Sequence, residues 1–361
     1  MSSWPAWSRT TRRIVAILVL TLLILLALAY YIFTPHTAFG IETYVDIPRG
    51  MPTRQIARRL AAAGVIRSEW LFLAVRALRP QPTLKAGEYL FKEPETPWGV
   101  FDRIARGDVY LISITVPEGQ NMFDIAAHLE SLNIMDREDF LAAARDPSPI
   151  RDLDPQAPSL EGFLFPDTYR FPRRTTAADL AKMMTDRFRS VWKGLGATSS
   201  DVHRVVTLAS LVETEARLPE ERPIVASVYA NRLKAGMALQ ADPTTIYAAL
   251  LEDRYRGRIF ASDLADSHPY NTYRTPGLPP GPVANPGLAS LKAALDPADT
   301  NYLYFVARAD GSGGHRFSEG LAEHAAAVRK YRRAVAEAER NEQAGAARSV
   351  GRGAAAGANR P

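Results

Sequence analysis

The stretch HRVVTLASLVETEAR, from His203 to Arg217, carries the clearest helical pattern in this chain. On a 3.6-residue period its apolar side chains form one stripe, which predicts an amphipathic helix over residues 201–217. Glu215 falls in the middle of that stripe, seven residues after Leu208, whereas Glu213 lies about 140° from Leu208, at roughly 100° per residue. Burial disfavours the charged form of a carboxyl and raises its pKa, so Glu215 is a candidate general acid. The alternative is a helix end at which Glu215 reaches solvent.

Further helices are predicted on both sides of this one by the same kind of periodicity. They cover Ala177–Trp192, Ile224–Lys234, Leu288–Ala294 and Leu321–Glu339. Strand signal is thin: Tyr302–Val306 is the clearest run, and His315–Phe317 is its possible partner. The sequence therefore predicts an α+β chain whose mainly helical second domain, with a few strands, covers residues 150–340 and begins after a segment rich in Asp and Pro.

Between two of these helices lies HPYNTYRTPGLPPGPVANPG, from His268 to Gly287, with six prolines and three glycines. Proline fixes φ and glycine allows close backbone approach, so this run predicts an ordered, non-helical wall. Its tyrosines and asparagines suit a groove for a polar polymer, because tyrosine stacks on sugar faces and asparagine hydrogen-bonds hydroxyls. The alternative is a proline-rich linker, although linkers usually carry more charge or serine.

An apolar run of twenty residues, Ile14–Phe33, follows Arg9, Arg12 and Arg13. Twenty helical residues span about 30 Å, which is enough to cross a bilayer core. The arginines predict a cytoplasmic N-terminus (1–13), a single transmembrane helix (14–33) and an extracytoplasmic remainder. The alternative is a cleaved signal peptide, since residues 27–29 fit a small-x-small cleavage site.

The composition limits which folds and sites the rest of the chain can form. With 47% hydrophobic residues, 23% charged residues and no cysteine, the chain can bury a core but cannot hold disulfides or cysteine-based metal sites. Six scattered histidines and a net charge of +5 give little support for a metal site, a cofactor or a nucleic-acid partner. Residues 341–361 are mostly Ala, Gly and Arg, which predicts a disordered tail.

An internal repeat with an offset of 69 residues occupies residues 43–149. Val45–Gly50 matches Ile114–Gly119, and each copy reads as a strand, a Pro-x-Gly turn and a short amphipathic helix. Such units resemble the LysM-like modules of cell-wall proteins. A glycan-binding module and a purely structural stalk are both compatible with this pattern.

Several motifs of the second domain, in order, resemble those of the YceG-like endolytic murein transglycosylases. The run Glu161–Tyr169 matches that family's EG-aromatic-x-aromatic-PDT-aromatic signature, and LASLVETE (208–215) matches its VExE-type motif. The other matching segments are Asn231–Leu233, Gly236–Thr244, Tyr270–Tyr273, Gly277–Gly281, Tyr302–Val306 and Gly313–Phe317. Together with the anchor, the resemblance covers the chain to about residue 335.

This resemblance implies a lytic-transglycosylase-type catalytic domain, anchored in the bacterial inner membrane and facing the periplasm. It would cleave the β-1,4 bond between N-acetylmuramic acid and N-acetylglucosamine within peptidoglycan strands, leaving 1,6-anhydro ends and terminating nascent strands. Peptidoglycan would be its partner, together with synthases of the elongation or division machinery. No cofactor is implied. A hydrolytic muramidase and a non-catalytic wall-binding scaffold remain alternatives.

The family's catalytic acid falls on Glu215, the residue that the helical pattern also selects. One departure is Ala216, because the family often has a hydroxyl residue there. The residues expected to bind substrate are Glu161, Glu213, Gln240, Asp242, Thr244, Tyr270, Asn271 and Tyr273. Glu213 is alternatively a hydrogen-bonding partner of the acid, and Asp242 a local capping residue. His315 and His324 are expected to be structural or surface histidines.

Overall fold

The computed structural model describes residues 8–36, 42–196, 201–337 and 340, and it shows a mixed α/β chain that is mostly helical. This confirms the coarse prediction of an apolar N-terminal helix followed by many helices and few strands. The chain divides into two compact units, Met1–Ile112 with Arg170–Arg174, and Ser113–Tyr169 with Thr175–Pro361. The predicted tail at 341–361 lies outside the described residues.

The first unit begins with the long helix α1 (Arg9–Phe33). Strand β1 (Thr43–Ile47), helices α2 (Thr53–Ala62) and α3 (Glu69–Leu78), strand β2 (Gly87–Phe91) and helix α4 (Pro97–Arg106) follow in that order. The two strands pair antiparallel, with Thr43 opposite Phe91. Buried aromatic side chains from α3, β2 and α4 fill the core between them: Phe72, Tyr89, Phe91 and Phe101.

The remaining elements belong mostly to the second unit. They are β3 (Ile112–Thr115), α5 (Met122–Ser131), α6 (Arg137–Arg145), β4 (Thr168–Phe171), α7 (Ala177–Gly194), α8 (Val202–Glu215), α9 (Arg222–Lys234), α10 (Asp242–Leu251), α11 (Ala261–Ala265), α12 (Leu288–Leu295), β5 (Tyr304–Ala307) and β6 (His315–Ser318), with residues 321–337 forming a last helix. Strand β3 pairs with β4, and β5 pairs antiparallel with β6. Every helix predicted in this half is present, whereas α10 and α11 were not predicted.

Each copy of the repeat is larger than the sequence indicated. Both contain a strand, a turn through a glycine with positive φ (Gly50 at +79°, Gly119 at +81°), two helices and a closing strand. In the second copy, β4 begins more than twenty residues after α6 ends. The compact units divide at Ile112, between the two copies. The predicted boundary at 149/150 between the repeat region and the catalytic domain stays a prediction. Whether residues 43–149 form a LysM-like module stays a prediction.

Hydrogen bonds tie the second copy into the second unit. The Val116 amide donates to the Asp167 carbonyl (3.0 Å), and the Gly119 amide donates to the Asn285 carbonyl (3.0 Å). The Asn285 amide in turn donates to the Gln120 carbonyl (2.9 Å). Buried side chains of α5 and α6 add to this packing: Met122, Ile125, Leu129, Phe140 and Leu141.

We therefore expect a fragment of residues 113–340 to unfold cooperatively and a fragment of residues 150–340 not to. The shorter fragment lacks β3, α5 and α6, so it exposes the apolar surface that these elements cover and leaves buried polar groups unpaired. Thermal unfolding followed by circular dichroism compares the two. A cooperative transition at the same temperature in both fragments would show that the second copy is dispensable.

Candidate active site

Helix α8 is enclosed on all sides, so a single apolar stripe does not describe it. Residues 205–212 are all buried, and α9, α10 and α12 contact the helix. The proline-rich wall also packs on it, because the Val283 amide donates to the Ser210 Oγ (3.1 Å). The apolar stripe therefore does not show which of Glu213 and Glu215 could be the acid. The contacts of each side chain have to decide it.

Glu213 is held by internal partners. Its carboxylate accepts from the Arg222 guanidinium (2.9 Å) and from the Gly287 amide (2.9 Å), and its side chain is only 5% exposed. A second carboxylate, Glu118 in the turn after β3, lies 3.5 Å from the same guanidinium. Because its charge is neutralised and its oxygens are occupied, Glu213 has the surroundings of a structural ion pair.

Glu215, the last residue of α8, has the surroundings of an acid. Burial, and then the nearby negative charge of Asp242, raise its pKa to about 7, although the Tyr229 phenol hydrogen-bonds to the carboxyl and opposes the shift. No arginine or lysine of the described chain forms an ion pair with it, in contrast to Glu213. A carboxyl with a pKa near 7 is protonated in a large fraction of molecules at neutral pH and can give up its proton.

Asp242 and Tyr273 lie beside this carboxyl. Asp242 is the first residue of α10, and its Oδ1 accepts a hydrogen bond from the Tyr273 hydroxyl (2.6 Å). Gln240, two residues before Asp242, is exposed and has a positive φ of 52°, which turns the chain into the helix. The Gln240 amide donates to the Thr272 carbonyl (3.2 Å), which fixes this turn against the wall. The structure thus brings Glu215, Asp242 and Tyr273 together, and Gln240 lies on the turn before α10.

Thr244, Tyr270 and Asn271 are buried within the protein. The Asn271 Nδ2 donates to the carbonyls of residues 263, 264 and 266, and its Oδ1 accepts from the Tyr273 amide (3.0 Å). The Thr244 hydroxyl lies 2.9 Å from that of Thr272 and donates to the Ala241 carbonyl. The Tyr270 ring packs against Tyr247, with ring centroids 5.1 Å apart. These three residues support the wall and hold it in place.

Glu161 is fully buried among hydrogen-bond donors. Its carboxyl accepts from the Met122 amide (2.8 Å) and the Asn285 side-chain amide (2.7 Å), and it hydrogen-bonds with the Tyr247 hydroxyl. Burial raises its pKa to about 8, against the opposing effect of these donors. The buried Glu161 carboxyl thus joins the start of α5, the middle of α10 and the end of the wall. This arrangement points to a structural junction.

The helix α9 contributes contacts that the sequence did not single out. The Tyr229 phenol reaches Glu215, and the buried Arg232 donates to the carbonyls of Leu239 (2.8 Å) and Leu303 (2.6 Å). Arg232 belongs to the Asn231–Leu233 motif, so a motif signal existed for it. No local pattern marks Tyr229, because its role depends on how α9 packs on α8.

Two histidines and one cavity lie apart from these residues. His315 is buried, with its Nδ1 2.7 Å from Glu221, in agreement with a structural role. His324 stacks on Tyr304 with ring centroids 5.1 Å apart. A cavity of about 820 Å³ lies between the β5–β6 hairpin and the last helix, and none of the predicted site residues line it. Among the described residues, no three His, Asp or Glu side chains are grouped to hold a metal ion.

Comparison with known proteins gives these residues a context. The sequence model of the YceG-like family matches residues 45–330. The chain belongs to the YceG-like family. This YceG-like protein is 34% identical to a protein of Bacillus subtilis (strain 168) named endolytic murein transglycosylase, over 80% of this chain and 84% of that protein. It is 28% identical to a protein of the same name from Streptococcus pneumoniae (D39), over 73% of this chain and 54% of that protein.

A solved structure resembles the YceG-like protein as well. The 2.6 Å crystal structure of a yceG-like protein from Listeria monocytogenes aligns with a TM-score of 0.50 at 29% identity. The alignment covers 79% of this chain and 99% of that chain.

Proposed function

We propose that this protein is a membrane-anchored endolytic lytic transglycosylase of peptidoglycan, with Glu215 as its single catalytic acid and base. The observation that carries this assignment is the Glu215 carboxyl itself: its pKa is about 7, it forms no ion pair within the described chain, and it lies beside the exposed Asp242. Membership of a family whose relatives are named endolytic murein transglycosylases supports the assignment.

The proposed reaction needs one group that first gives and then takes a proton. The protonated Glu215 donates to the glycosidic oxygen as the bond to C1 of N-acetylmuramic acid breaks. The resulting carboxylate takes the proton of the C6 hydroxyl, whose oxygen closes onto C1 and forms the 1,6-anhydro ring. No water is consumed, so no second carboxylate is needed to activate one, unlike in most glycoside hydrolases.

The neighbours of Glu215 have separable roles in this proposal. The negative charge of Asp242 raises the pKa of Glu215, and so keeps the acid protonated before bond cleavage. The hydrogen bond from the Tyr229 phenol stabilises the Glu215 carboxylate that forms afterwards. Gln240, Asp242 and Tyr273 contact the glycan, whereas Glu161, Glu213, Thr244, Tyr270 and Asn271 act by shaping the wall and the helix ends.

A hydrolytic muramidase is the second candidate, because Asp242 places another carboxylate beside the acid. In that case Asp242 would activate a water, and the products would carry reducing ends. The test is mass spectrometry of muropeptides released from purified sacculi by the full-length protein in detergent. Anhydro ends support the transglycosylase, reducing ends support the muramidase, and no new ends support a wall-binding scaffold.

Helix α1 serves as the membrane anchor in this proposal. It has 25 residues, its most apolar window has a mean hydropathy of 2.8, and none of that window is buried by the protein. The arginines before the apolar run favour a cytoplasmic N-terminus and a periplasmic site. We expect the protein to stay in the membrane fraction after alkaline carbonate extraction. Recovery as a soluble protein with a mature N-terminus near Tyr30 would instead establish a cleaved signal peptide.

The repeat region supplies the remaining part of the proposal, a LysM-like contact with glycan strands close to the peptidoglycan synthases. Removing residues 43–106 should reduce co-sedimentation with sacculi if this contact exists, whereas unchanged co-sedimentation would support a structural stalk. Chemical cross-linking in cells, followed by affinity purification, tests the association with synthases. Recovery of no synthase would count against it.

A further inference from the structure

The loop between α10 and α11 presents two arginines without an acidic partner. The guanidinium carbon of Arg256 lies 3.9 Å from the centroid of the Phe260 ring, and that of Arg258 lies 4.6 Å from the same centroid. Both side chains are exposed, and within the described chain no carboxylate forms an ion pair with either. Gly257 lies between the two arginines in the sequence. Its φ of +79° marks a turn, and no atom lies within 4 Å of the position that a side chain would take there.

A third arginine in the loop has the opposite surroundings. Arg254 pairs with Glu252, with Asp263 (2.7 Å) and with Asp266, and its amide donates to the Ala249 carbonyl at the end of α10. These three carboxylates fix the base of the loop by their contacts with the Arg254 guanidinium. None of them pairs with the arginines at the tip. The loop therefore has an anchored base with a net negative charge and a positively charged tip.

The geometry of the two arginines at the tip suits the binding of a carboxylate. A guanidinium that stacks on an aromatic ring keeps its in-plane N–H groups available, and these match the two oxygens of a carboxylate. Contact with the ring also reduces the number of conformations that each side chain loses on binding. Two cations on one ring repel each other, so an anion between them stabilises the pair.

A continuous series of hydrogen bonds connects this loop to the candidate acid. Asn271 holds the carbonyls of residues 263–266 with its Nδ2 and the Tyr273 amide with its Oδ1. The Tyr273 hydroxyl then donates to Asp242, whose charge acts on Glu215. The segment to which the base of the loop is anchored, residues 263–266, is thereby connected to the site that would cleave the glycan.

We infer that Arg256 and Arg258 bind free carboxylates of the peptide stems that project from the glycan strand. This inference rests on the proposed function, since it names the part of the same substrate that lies beside the cleaved bond. The sugars around that bond carry no charge of their own, whereas the stems carry carboxylates at fixed intervals along the strand. The loop would thus favour strands that still bear peptides.

The experiment compares the full-length protein with its R256Q/R258Q variant on two substrates. One is intact sacculi. The other is the same material stripped of peptides by an amidase, with the lactyl carboxylates that this hydrolysis frees then converted to neutral amides by carbodiimide coupling. On intact sacculi we expect the half-saturating substrate concentration to rise roughly 3- to 10-fold in the variant, as for two exposed charge pairs, with the maximal rate almost unchanged. On stripped glycan the variant should match the wild type, and added salt should reduce the difference on intact sacculi.

A matched control is R332Q/R333Q, which removes the same charge from two exposed arginines of the last helix. An equal loss in this control, an equal loss on stripped glycan or no loss at all would each overturn the inference. Reduced binding of R256Q/R258Q to anionic phospholipid vesicles, with sacculus binding unchanged, would overturn it and assign the tip to a lipid surface. Co-sedimentation measures binding without cleavage, so a wrong catalytic assignment would leave this comparison readable.

Discussion

Replacing Glu215 by glutamine should reduce the release of anhydro-muropeptides from sacculi by at least about 10²–10⁴-fold, the usual loss when a general acid is removed. Glutamine keeps the shape of the side chain but cannot exchange a proton, and in the proposed reaction the same group also acts as the base. Near-normal turnover by E215Q would exclude Glu215 as the acid.

The same substitution should increase stability at alkaline pH. The pKa of Glu215 is raised to about 7 in the folded protein from an ordinary 4.5, so its favourable contribution is complete below pH 4.5 and is lost as the pH rises through 7. Thermal unfolding of E215Q should therefore occur at a higher temperature than that of the wild type at pH 8, and the difference should shift against the variant at pH 5. An identical difference at both pH values would contradict the raised pKa.

Two variants sharpen this test. E213Q removes the charge that neutralises Arg222, so it should lower the unfolding temperature while leaving cleavage substantial in the folded protein. Loss of cleavage only in E213Q would move the acid by two positions. In D242N the like charge beside Glu215 is gone, so the pKa of the acid falls and the decline of activity with rising pH should begin at a lower pH. Products with reducing ends that disappear in D242N would support the muramidase.

Replacing Glu161 by alanine should destabilise the second unit by about 3–5 kcal/mol, the usual cost of removing one partner from a buried charged or hydrogen-bonded group. The Met122 amide, the Asn285 side chain and the Tyr247 hydroxyl would all lose a buried acceptor. At about 2–4 °C per kcal/mol for a unit of this size, thermal unfolding should occur roughly 10 °C lower. E130A, an exposed glutamate on α5, should leave the unfolding temperature unchanged.

The glutamine variant E161Q separates structure from charge. It keeps the volume of the side chain, so its loss of stability should be smaller than that of E161A. The pKa of Glu161 is raised to about 8, so the stability of the wild type should fall as the pH rises from 4.5 through 8, and this part of the pH dependence should be absent in E161Q. Wild-type unfolding temperatures with lost cleavage in E161A would show instead that Glu161 contacts the substrate, as the sequence predicted.

The helices that could be predicted are those with a strong period and clear ends. Helix α7 begins after a capping box at Thr176, and α8 begins after Asp201, whose side chain accepts from the Arg204 amide. Helix α10 escaped prediction because its first residues are Asp242, Pro243 and two threonines, a composition typical of a turn. The pairing of β3 with β4 was also out of reach, since the partners lie more than fifty residues apart.

The residues of the candidate site also divide into those with a local sequence signal and those whose role depends on packing. Carboxylates at the end of an apolar helix are a local signal that the sequence shows, and the family motif favours Glu215, but the helical pattern alone does not separate Glu215 from Glu213. The partner Tyr229 and the ion pair of Glu213 with Arg222 could not, because they depend on the packing of α9. Thr244 and Asn271 were expected in the groove as polar residues, yet a non-helical wall has many backbone groups to satisfy, and buried side chains satisfy them.

The hydrogen bond between the Asn285 side chain and the Gln120 carbonyl joins residues that are 165 positions apart. During synthesis at about 5–20 residues per second, the turn after β3 therefore waits roughly 10–30 s for its partner to be made. Over the same interval α5 lacks Asn285, whereas β3 lacks its neighbouring strand for a shorter time, until residue 171 has emerged. The nascent second unit thus exposes an open strand edge until about a quarter of it has been made, and a chaperone that shields such edges would act on this protein during that early stage.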